Sequence, residues 1–277
     1  MSALGTVASI DGLLRESGLP RREAEVLLQA VLGCERVHLI AHPEDAVDVS
    51  KARSAQRWFE RRRSGEPVAY ITGRREFFGV ALRVSSDVLV PRPETEQLVE
   101  LALERLQLGA GRRVLELGTG SGAIAIALAS QSPGVRITAT DISAAALAVA
   151  RRNATEHGVA IDFVQSDWFE AIAPETFDLV VSNPPYVAAG DPHLKSGDLP
   201  FEPPLALVSG EDGLECLRTI TAGARHCLRP GGSLLLEHGY DQGERCVALL
   251  RDLGYTEAAD FRDLAGLPRV CSGVWRG

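Results

Sequence analysis

Asn183-Pro184-Pro185-Tyr186 follows an apolar run, Phe177-Asp178-Leu179-Val180-Val181, and closes it abruptly. Two consecutive prolines remove two backbone N–H donors and fix two φ angles, so neither helix nor sheet continues through them. What remains is a stiff loop with spare carbonyl acceptors, an amide side chain at its start and an aromatic ring at its end. A simple turn needs none of this, since Gly, Asp or Ser would serve. A second stretch, "ELGTGSGA" (Glu116 to Ala123), follows another apolar run. Gly118, Gly120 and Gly122 tolerate positive φ and let a ligand approach bare backbone. Together with Thr119 and Ser121 they also satisfy G-x-G-x-x-A, a pattern that points to an adenosine-containing cofactor. Asp141 ends the next apolar run, where a carboxylate can accept both hydroxyls of a ribose; it can equally cap the helix that follows, a role also open to Ser143. Asp167 and Trp168 end the third run. They can grip an adenine, the carboxylate on its exocyclic amine and the ring on its face, or serve as a structural Trp beside an Asp cap.

The elements that position these residues are legible from residue 112 onward. "RRVLELG", "VRITATD", "AIDFVQSD", "TFDLVVSN" and "GSLLLEHG" read as five buried strands. Between them lie helical patterns such as "GAIAIALASQ" and "SAAALAVARRNATEHG", and a further helix is expected to end near Arg229-Pro230-Gly231-Gly232. Short apolar strands alternating with helices predict an α/β, doubly wound, mostly parallel sheet. Right-handed crossovers then bring the strands' carboxyl ends to one edge, where ligands bind. The first seventy or so residues carry no strand pattern. Ile10, Leu13 and Leu14 have helical spacing, as do Ala24, Leu27, Leu28, Val31 and Leu32, with Pro20 placed to open the second helix; a third spans Val49 to Arg63. The Arg61-Arg62-Arg63 run at its end reads as a solvated helix terminus or, more sharply, as a contact for RNA or an acidic partner. Alternation around Phe77, Val80, Leu82 and Val84 predicts a hairpin, and Glu94 to Leu108 a helix. The expected organisation is a helical bundle at 1–73, a hairpin linker at 74–90 and the sheet domain at 91–277.

Composition removes several classes of function. The chain has 277 residues, 45% of them hydrophobic and 24% charged, with a net charge of −8, which argues against a partner held mainly through phosphates. Its five cysteines are scattered without a C-x-x-C, suiting a reducing compartment and offering neither a disulfide framework nor a zinc pattern. His38 and His42 stand at helical i,i+4 spacing but lack the Glu of a zincin, so no metal is expected. No apolar run approaches the length of a membrane span, and a cytoplasmic protein is expected.

The Asn-Pro-Pro-Tyr stretch resembles the loop that S-adenosylmethionine-dependent amino-methyltransferases place after their fourth strand. A nicotinamide enzyme would instead need a Lys, His or Tyr proton donor near the later strand ends, which this chain does not clearly supply. The resemblance gives the residue types a chemical reason. A planar amide or aryl amine is a poor nucleophile because its nitrogen lone pair is delocalised. The side-chain oxygen of Asn183 and the carbonyl of Pro184 can accept its two N–H bonds and aim the lone pair, while Pro185 stiffens the loop and Tyr186 lies against the flat group. No strong general base is required, since the methylated, positively charged nitrogen sheds its proton readily.

Further stretches, "PVAYITG" with "EFFG", "PRPETE" (Pro91 to Glu96), "FEPPLAL" (Phe201 to Leu207), "LRPGGSLLLEHGYDQG" and "RDLAGLPRV", extend the likeness over nearly the whole chain. Together with Asn-Pro-Pro-Tyr they resemble the peptide chain release factor glutamine methyltransferases. That resemblance implies a seven-stranded class I methyltransferase domain behind a helical substrate-docking domain. It implies S-adenosylmethionine as donor, S-adenosylhomocysteine as product, and the Gln of the Gly-Gly-Gln loop of class I release factors as acceptor. Donor binding falls on Glu116, Gly118, Thr119, Gly120, Ser121, Gly122, Asp141, Asp167, Trp168 and Asn183, and substrate binding on Asn183, Pro184, Pro185 and Tyr186, with Asn183, Pro184 and Tyr186 catalytic. Leu199-Pro200 stands where relatives often carry a basic residue, which bears on substrate docking. Phe201 and Glu202 either reach the bound loop or simply pack. Two other readings stay in view. An adenine amino-methyltransferase acting on DNA or RNA shares the Asn-Pro-Pro-Tyr logic but needs a basic cleft and a way to expose the base, against a charge of −8. A non-catalytic adaptor would have no use for intact Gly118, Gly120, Asp141, Asn183 and Tyr186, though fold alone never proves activity.

Overall fold

The computed structural model describes residues 8–106, 111–172 and 177–277. The chain divides into two compact units, one of the residues up to Arg74 with Ser196–Phe201, the other of Arg75–Lys195 with Glu202–Gly277.

The first unit is helical. The Ser9 hydroxyl accepts the Gly12 N–H and so opens α1 (Ile10–Glu16). α2 (Arg21–Leu32) starts behind Pro20 and stops at Gly33, whose φ of 72° suits glycine. α3 (Arg36–Ala41) is a short helix with a single buried residue, Leu39, too little for a periodic stripe to be read from sequence. α4 (Val49–Arg63) is capped by Asp48, and α5 (Val68–Thr72) follows. Leu13, Leu27, Leu28, Leu39 and Phe59 fill the core between them. Arg61 and Arg63 of the arginine run are exposed, as a solvated helix end would be, yet all three arginines are also paired. Arg61 forks onto Glu66, Arg62 pairs with Glu23 at 2.6 Å and Asp198 at 2.7 Å, and Arg63 donates to the Ser17 carbonyl. Carboxylates of its own unit, beside the negative helix terminus, hold the charge.

In the second unit, β1 (Arg74–Phe77) and β2 (Val80–Arg83) form the expected hairpin. Phe78 and Gly79 turn it with φ of 50° and 74°, the signature of a tight two-residue hairpin loop. A single 3₁₀ turn at Pro93–Thr95 leads into α6 (Glu96–Leu106), so the helix expected from Glu94 starts slightly later; its expected end at Leu108 lies outside the described residues. Strand and helix then alternate: β3 (Arg113–Leu117), α7 (Ala123–Gln131), β4 (Arg136–Asp141), α8 (Ala144–Glu156), β5 (Asp162–Gln165), β6 (Phe177–Ser182), α9 (Glu215–Ala224), β7 (Leu228–Glu237), α10 (Gly243–Asp252), β8 (Thr256–Arg262) and β9 (Pro268–Val274).

The seven-stranded sheet runs β5-β4-β3-β6-β7-β9-β8, parallel from β5 to β7 and antiparallel at β9 and β8. Side chains of a strand alternate between faces, and both faces are covered. Val114 of β3 packs with Leu98 of α6, Ile126 of α7 and Leu147 of α8, while its neighbours Leu115 and Leu117 pack with Leu217 of α9 and Leu250 of α10. The helix expected to run on to Arg229 stops at Ala224, and Arg229-Pro230-Gly231-Gly232 lies inside β7. There the pairing jumps: Phe177 faces Leu228 but Leu179 faces Ser233. Pro230 brings no N–H to the ladder and Gly231 takes a φ of 86°, so the strand bulges. The chain winds outward through β4 and β5 on one side of β3 and through β6 and β7 on the other. A crevice therefore opens at the carboxyl ends of β3 and β6.

Candidate active site

Glycine geometry builds the first wall of the crevice. Gly118, Gly120 and Gly122 have φ of 70°, 56° and 83°, between the last residue of β3 and the first turn of α7. Thr119 N–H donates to the Thr140 carbonyl at 2.8 Å and Gly122 N–H to the Thr119 carbonyl at 2.8 Å, which holds the loop against β4. A side chain on Gly120 would meet open space, whereas one on Gly122 would lie 3.0 Å from Ile126 Cδ1 and 3.2 Å from Ala150 Cβ. The first glycine leaves room beside backbone; the second lets α7 and α8 close on each other. Ser121 is held from behind by Asn153 of α8, which is wholly buried. Its amide donates to the Ser121 carbonyl (2.8 Å) and the Arg83 carbonyl (3.0 Å) and accepts the Arg83 N–H (2.8 Å).

Carboxylates line the floor. Glu116 is 1% exposed; its Oε2 accepts the Thr119 hydroxyl at 2.7 Å and the Ala125 N–H at 3.1 Å. Burial pushes its carboxyl up to about 8 against these hydrogen bonds. Asp141 accepts Gly120 N–H at 2.8 Å on one oxygen and Ser143 N–H at 2.9 Å on the other, while the Ser143 hydroxyl caps α8. Of the two roles foreseen for Asp141, the structure bears on the helix entry, which it steadies beside the Ser143 cap; in addition it ties down the glycine loop. Burial raises its pKa. Asp167 and Trp168 flank the same space, Trp168 with a φ of 45°.

The Asn-Pro-Pro-Tyr loop forms the opposite wall. Ser182 anchors its start by donating to the Leu117 carbonyl at 2.7 Å, binding the ends of β6 and β3 together. A pocket of about 360 Å³ is lined by Glu116, Gly118 to Ser121, Asp141, Asp167, Trp168, Asn183 and Pro185, so the structure brings the two sequence signatures into one cavity. That volume suits a small organic ligand. Gly122, Pro184 and Tyr186 are not among the lining residues. Gly122 supports the helix contact, Pro184 is buried, and Tyr186 packs towards the core that contains Leu217 and Leu236. The Tyr186 hydroxyl donates to Glu237 Oε1 at 3.3 Å, its carbonyl accepts Gln242 Nε2 at 3.0 Å, and burial raises its pKa.

Three residues of this region went unassigned in the sequence. Thr95 lines the pocket and accepts Asn183 Nδ2 at 3.0 Å. Glu237, at the end of β7, is 1% exposed and pushed up to about 7 by burial, which outweighs the opposing influence of the Thr95 and Tyr186 hydroxyls. A carboxylate ending the run of three leucines in β7 was a usable signal for Glu237; nothing local marks Asn153. Glu202 carries a buried ion pair with Arg92 at 2.6 Å, and Phe201 is half-exposed with its ring against Gly65. The scattered cysteines also meet unexpectedly. Cys246 and Cys271 approach His238, with ligand-type atoms within 4.8 Å of one another. Both ring nitrogens of His238 are taken, by the Gly239 carbonyl (2.9 Å) and by Asp260 (3.0 Å), which makes this a satisfied polar cluster in the core.

The chain matches the PrmC N-terminal domain over residues 8–73 and the Methyltransferase small domain over residues 95–197. A release factor glutamine methyltransferase of Xylella fastidiosa (strain 9a5c) is 50% identical over 256 residues, spanning 92% of this chain and 93% of its own. The chain belongs to the release factor glutamine methyltransferase family. A second family member, from Bordetella pertussis (strain Tohama I), is 50% identical over 262 residues, 94% of this chain and 97% of its own. The fold is also that of the T. thermophilus 16S rRNA N2 G1207 methyltransferase, solved in complex with AdoMet and guanosine. That likeness has a TM-score of 0.53 at 21% identity, over 73% of this chain and 50% of the other. Membership in the release factor glutamine methyltransferase family therefore accounts for the resemblance that the two motifs carry. Among the described residues no helix is long and apolar enough to cross a membrane.

Proposed function

We propose that this chain methylates the side-chain amide nitrogen of the glutamine in the Gly-Gly-Gln loop of class I release factors, with S-adenosylmethionine as donor, in the cytoplasm. One observation carries the reading: Asn183 and Pro185 share a single pocket with Gly118 to Ser121 and Asp141. The pocket fits the donor chemically. Bare backbone at Gly120 leaves room for a nucleoside, Asp141 offers carboxylate oxygens to ribose hydroxyls, and Asp167 with Trp168 offers an acceptor and a flat apolar face to adenine. When bound, S-adenosylmethionine supplies a methyl group made electrophilic by its sulfonium.

The chain's own task is to aim a weak nucleophile. Asn183 Oδ1 and the Pro184 carbonyl accept the two amide N–H bonds, in a loop whose φ values the prolines fix in advance. The geometry is reached without ordering flexible groups at the moment of reaction. Tyr186 supports this loop through its own bonds to Glu237 and Gln242. Residues 1–73 dock the protein substrate, residues 74–90 link, and residues 91–277 hold the chemistry. The test is incubation with purified release factor and the donor, followed by peptide mass mapping. A gain equal to one CH2 group on the glutamine-bearing peptide is expected; an unmodified peptide after complete incubation would refute the assignment.

A further inference from the structure

A helix gains most from Ser, Thr, Asp or Asn at its N-cap, where a short side chain accepts an N–H of the first turn. α10 has Gln242 there, and its side chain makes no such bond. Only 4% exposed, it reaches across to three backbone groups instead. Oε1 accepts the Gly239 N–H at 2.8 Å, while Nε2 donates to the Tyr186 carbonyl at 3.0 Å and, more weakly, to the Gly213 carbonyl at 3.4 Å. These partners settle which way the amide points. A backbone N–H only donates and a carbonyl only accepts, so the NH2 end must face Tyr186. Gly239 is held in turn, its carbonyl accepting His238 Nδ1 at 2.9 Å.

A residue without a side chain shapes the same contact. A Cβ on Gly213 would lie 2.4 Å from the Tyr186 carbonyl oxygen and 2.7 Å from Gln242 Nε2, and Gly213 has a φ of 74°. Glycine is what lets these segments converge. They converge at the exit of the Asn-Pro-Pro-Tyr loop. The entry is fixed by Ser182 on the Leu117 carbonyl, and just past the exit Val187 N–H donates to the Leu207 carbonyl at 2.9 Å. Between these points Pro184 and Pro185 bring no N–H, so carbonyls and side chains must carry more of the anchoring. We infer that Gln242 and Gly213 are positioning residues that set the place of the Tyr186 carbonyl, and through it the aim of Asn183 and the Pro184 carbonyl at the acceptor amide. The inference rests on the reading of that loop as the acceptor clamp. Neither residue lines the pocket, so donor binding should not depend on them.

A double-mutant cycle tests it. Single-turnover methyl transfer to purified release factor, donor dissociation constant and donor stoichiometry are measured for Gln242→Met, Asn183→Ala and the pair. Methionine keeps the length of glutamine but offers no N–H to Tyr186. Gln242→Met is expected to slow transfer about tenfold, the effect of one or two lost hydrogen bonds felt at the reacting group, with donor affinity and stoichiometry unchanged. In the Asn183→Ala background the same substitution should cost at most about threefold, since only the Pro184 carbonyl is left to misplace. Gln242→Glu keeps an acceptor for Gly239 while losing the donor for Tyr186. It is expected to slow transfer as much as Gln242→Met, and it carries the cycle if the methionine variant does not fold. Gly213→Ala removes no polar group, yet it should slow transfer by pushing the Tyr186 carbonyl aside. Equal fold losses with and without Asn183 would mark Gln242 as merely structural, and full transfer by the Gln242 variants or by Gly213→Ala would overturn the positioning role. Wild-type transfer by Asn183→Ala would instead overturn the reading of the clamp on which it rests.

Discussion

Glu116 and Glu237 are each 1% exposed, and burial raises both carboxyls, to about 8 and about 7, from an ordinary 4.5. The native chain therefore holds protons on these groups where the unfolded chain has already released them. Their contribution to stability is greatest below about pH 4.5 and is lost as pH rises towards their folded values, by on the order of a few kcal/mol for each group. Thermal melts between about pH 5 and 8 should show stability declining with pH, and Glu116→Gln should flatten the slope. An unchanged slope in that variant would mean Glu116 is ionised throughout. The sequence marked Glu116 through its place before the glycines. It left Thr95 and Glu237 without roles, because the hydrogen bonds that place them, to Asn183 and from Tyr186, join elements far apart in the sequence.

At the scale of elements, what was legible was local. α4 has the bounds its pattern gives, and the glycine loop joins a buried strand to a buried helix as its residues demand. Where a strand is only half covered the signal fades: β8 at the sheet edge shows no clear alternation and was not individually foreseen, and neither was β9, although it lies inside the sheet with four buried residues in a row. The expected helix end at Arg229 failed for a related reason. Pro and Gly mark a break in regular structure but do not say whether it is a helix stop or a strand bulge. Asn153 shows the reverse case, a residue invisible in sequence that joins three elements. It ties α8 to the end of β2 and to the glycine loop through three hydrogen bonds. Asn153→Ala should cost about 2–4 kcal/mol, because the buried Ser121 carbonyl and the part-buried backbone groups of Arg83 lose their partners. Denaturant unfolding measures this; a loss within about 0.5 kcal/mol would show that the ties are dispensable.

At the scale of the molecule, family membership spans both units, with 92% of the chain matched by a relative at 50% identity. A net charge of −8 favours a partner recognised by shape and specific contacts over one held by its phosphates. The same fold carries a methyltransferase of ribosomal RNA, so architecture alone does not choose the acceptor; the residues of the pocket do. The central claim is that one wall of that pocket binds the donor while the other aims the amide. Methyl transfer to release factor by Asn183→Ala, measured beside its donor dissociation constant and compared with Asp141→Ala, tests this most directly. The account predicts that Asn183→Ala binds donor close to wild type and transfers poorly, while Asp141→Ala loses donor binding first. Near-normal transfer by Asn183→Ala would contradict it.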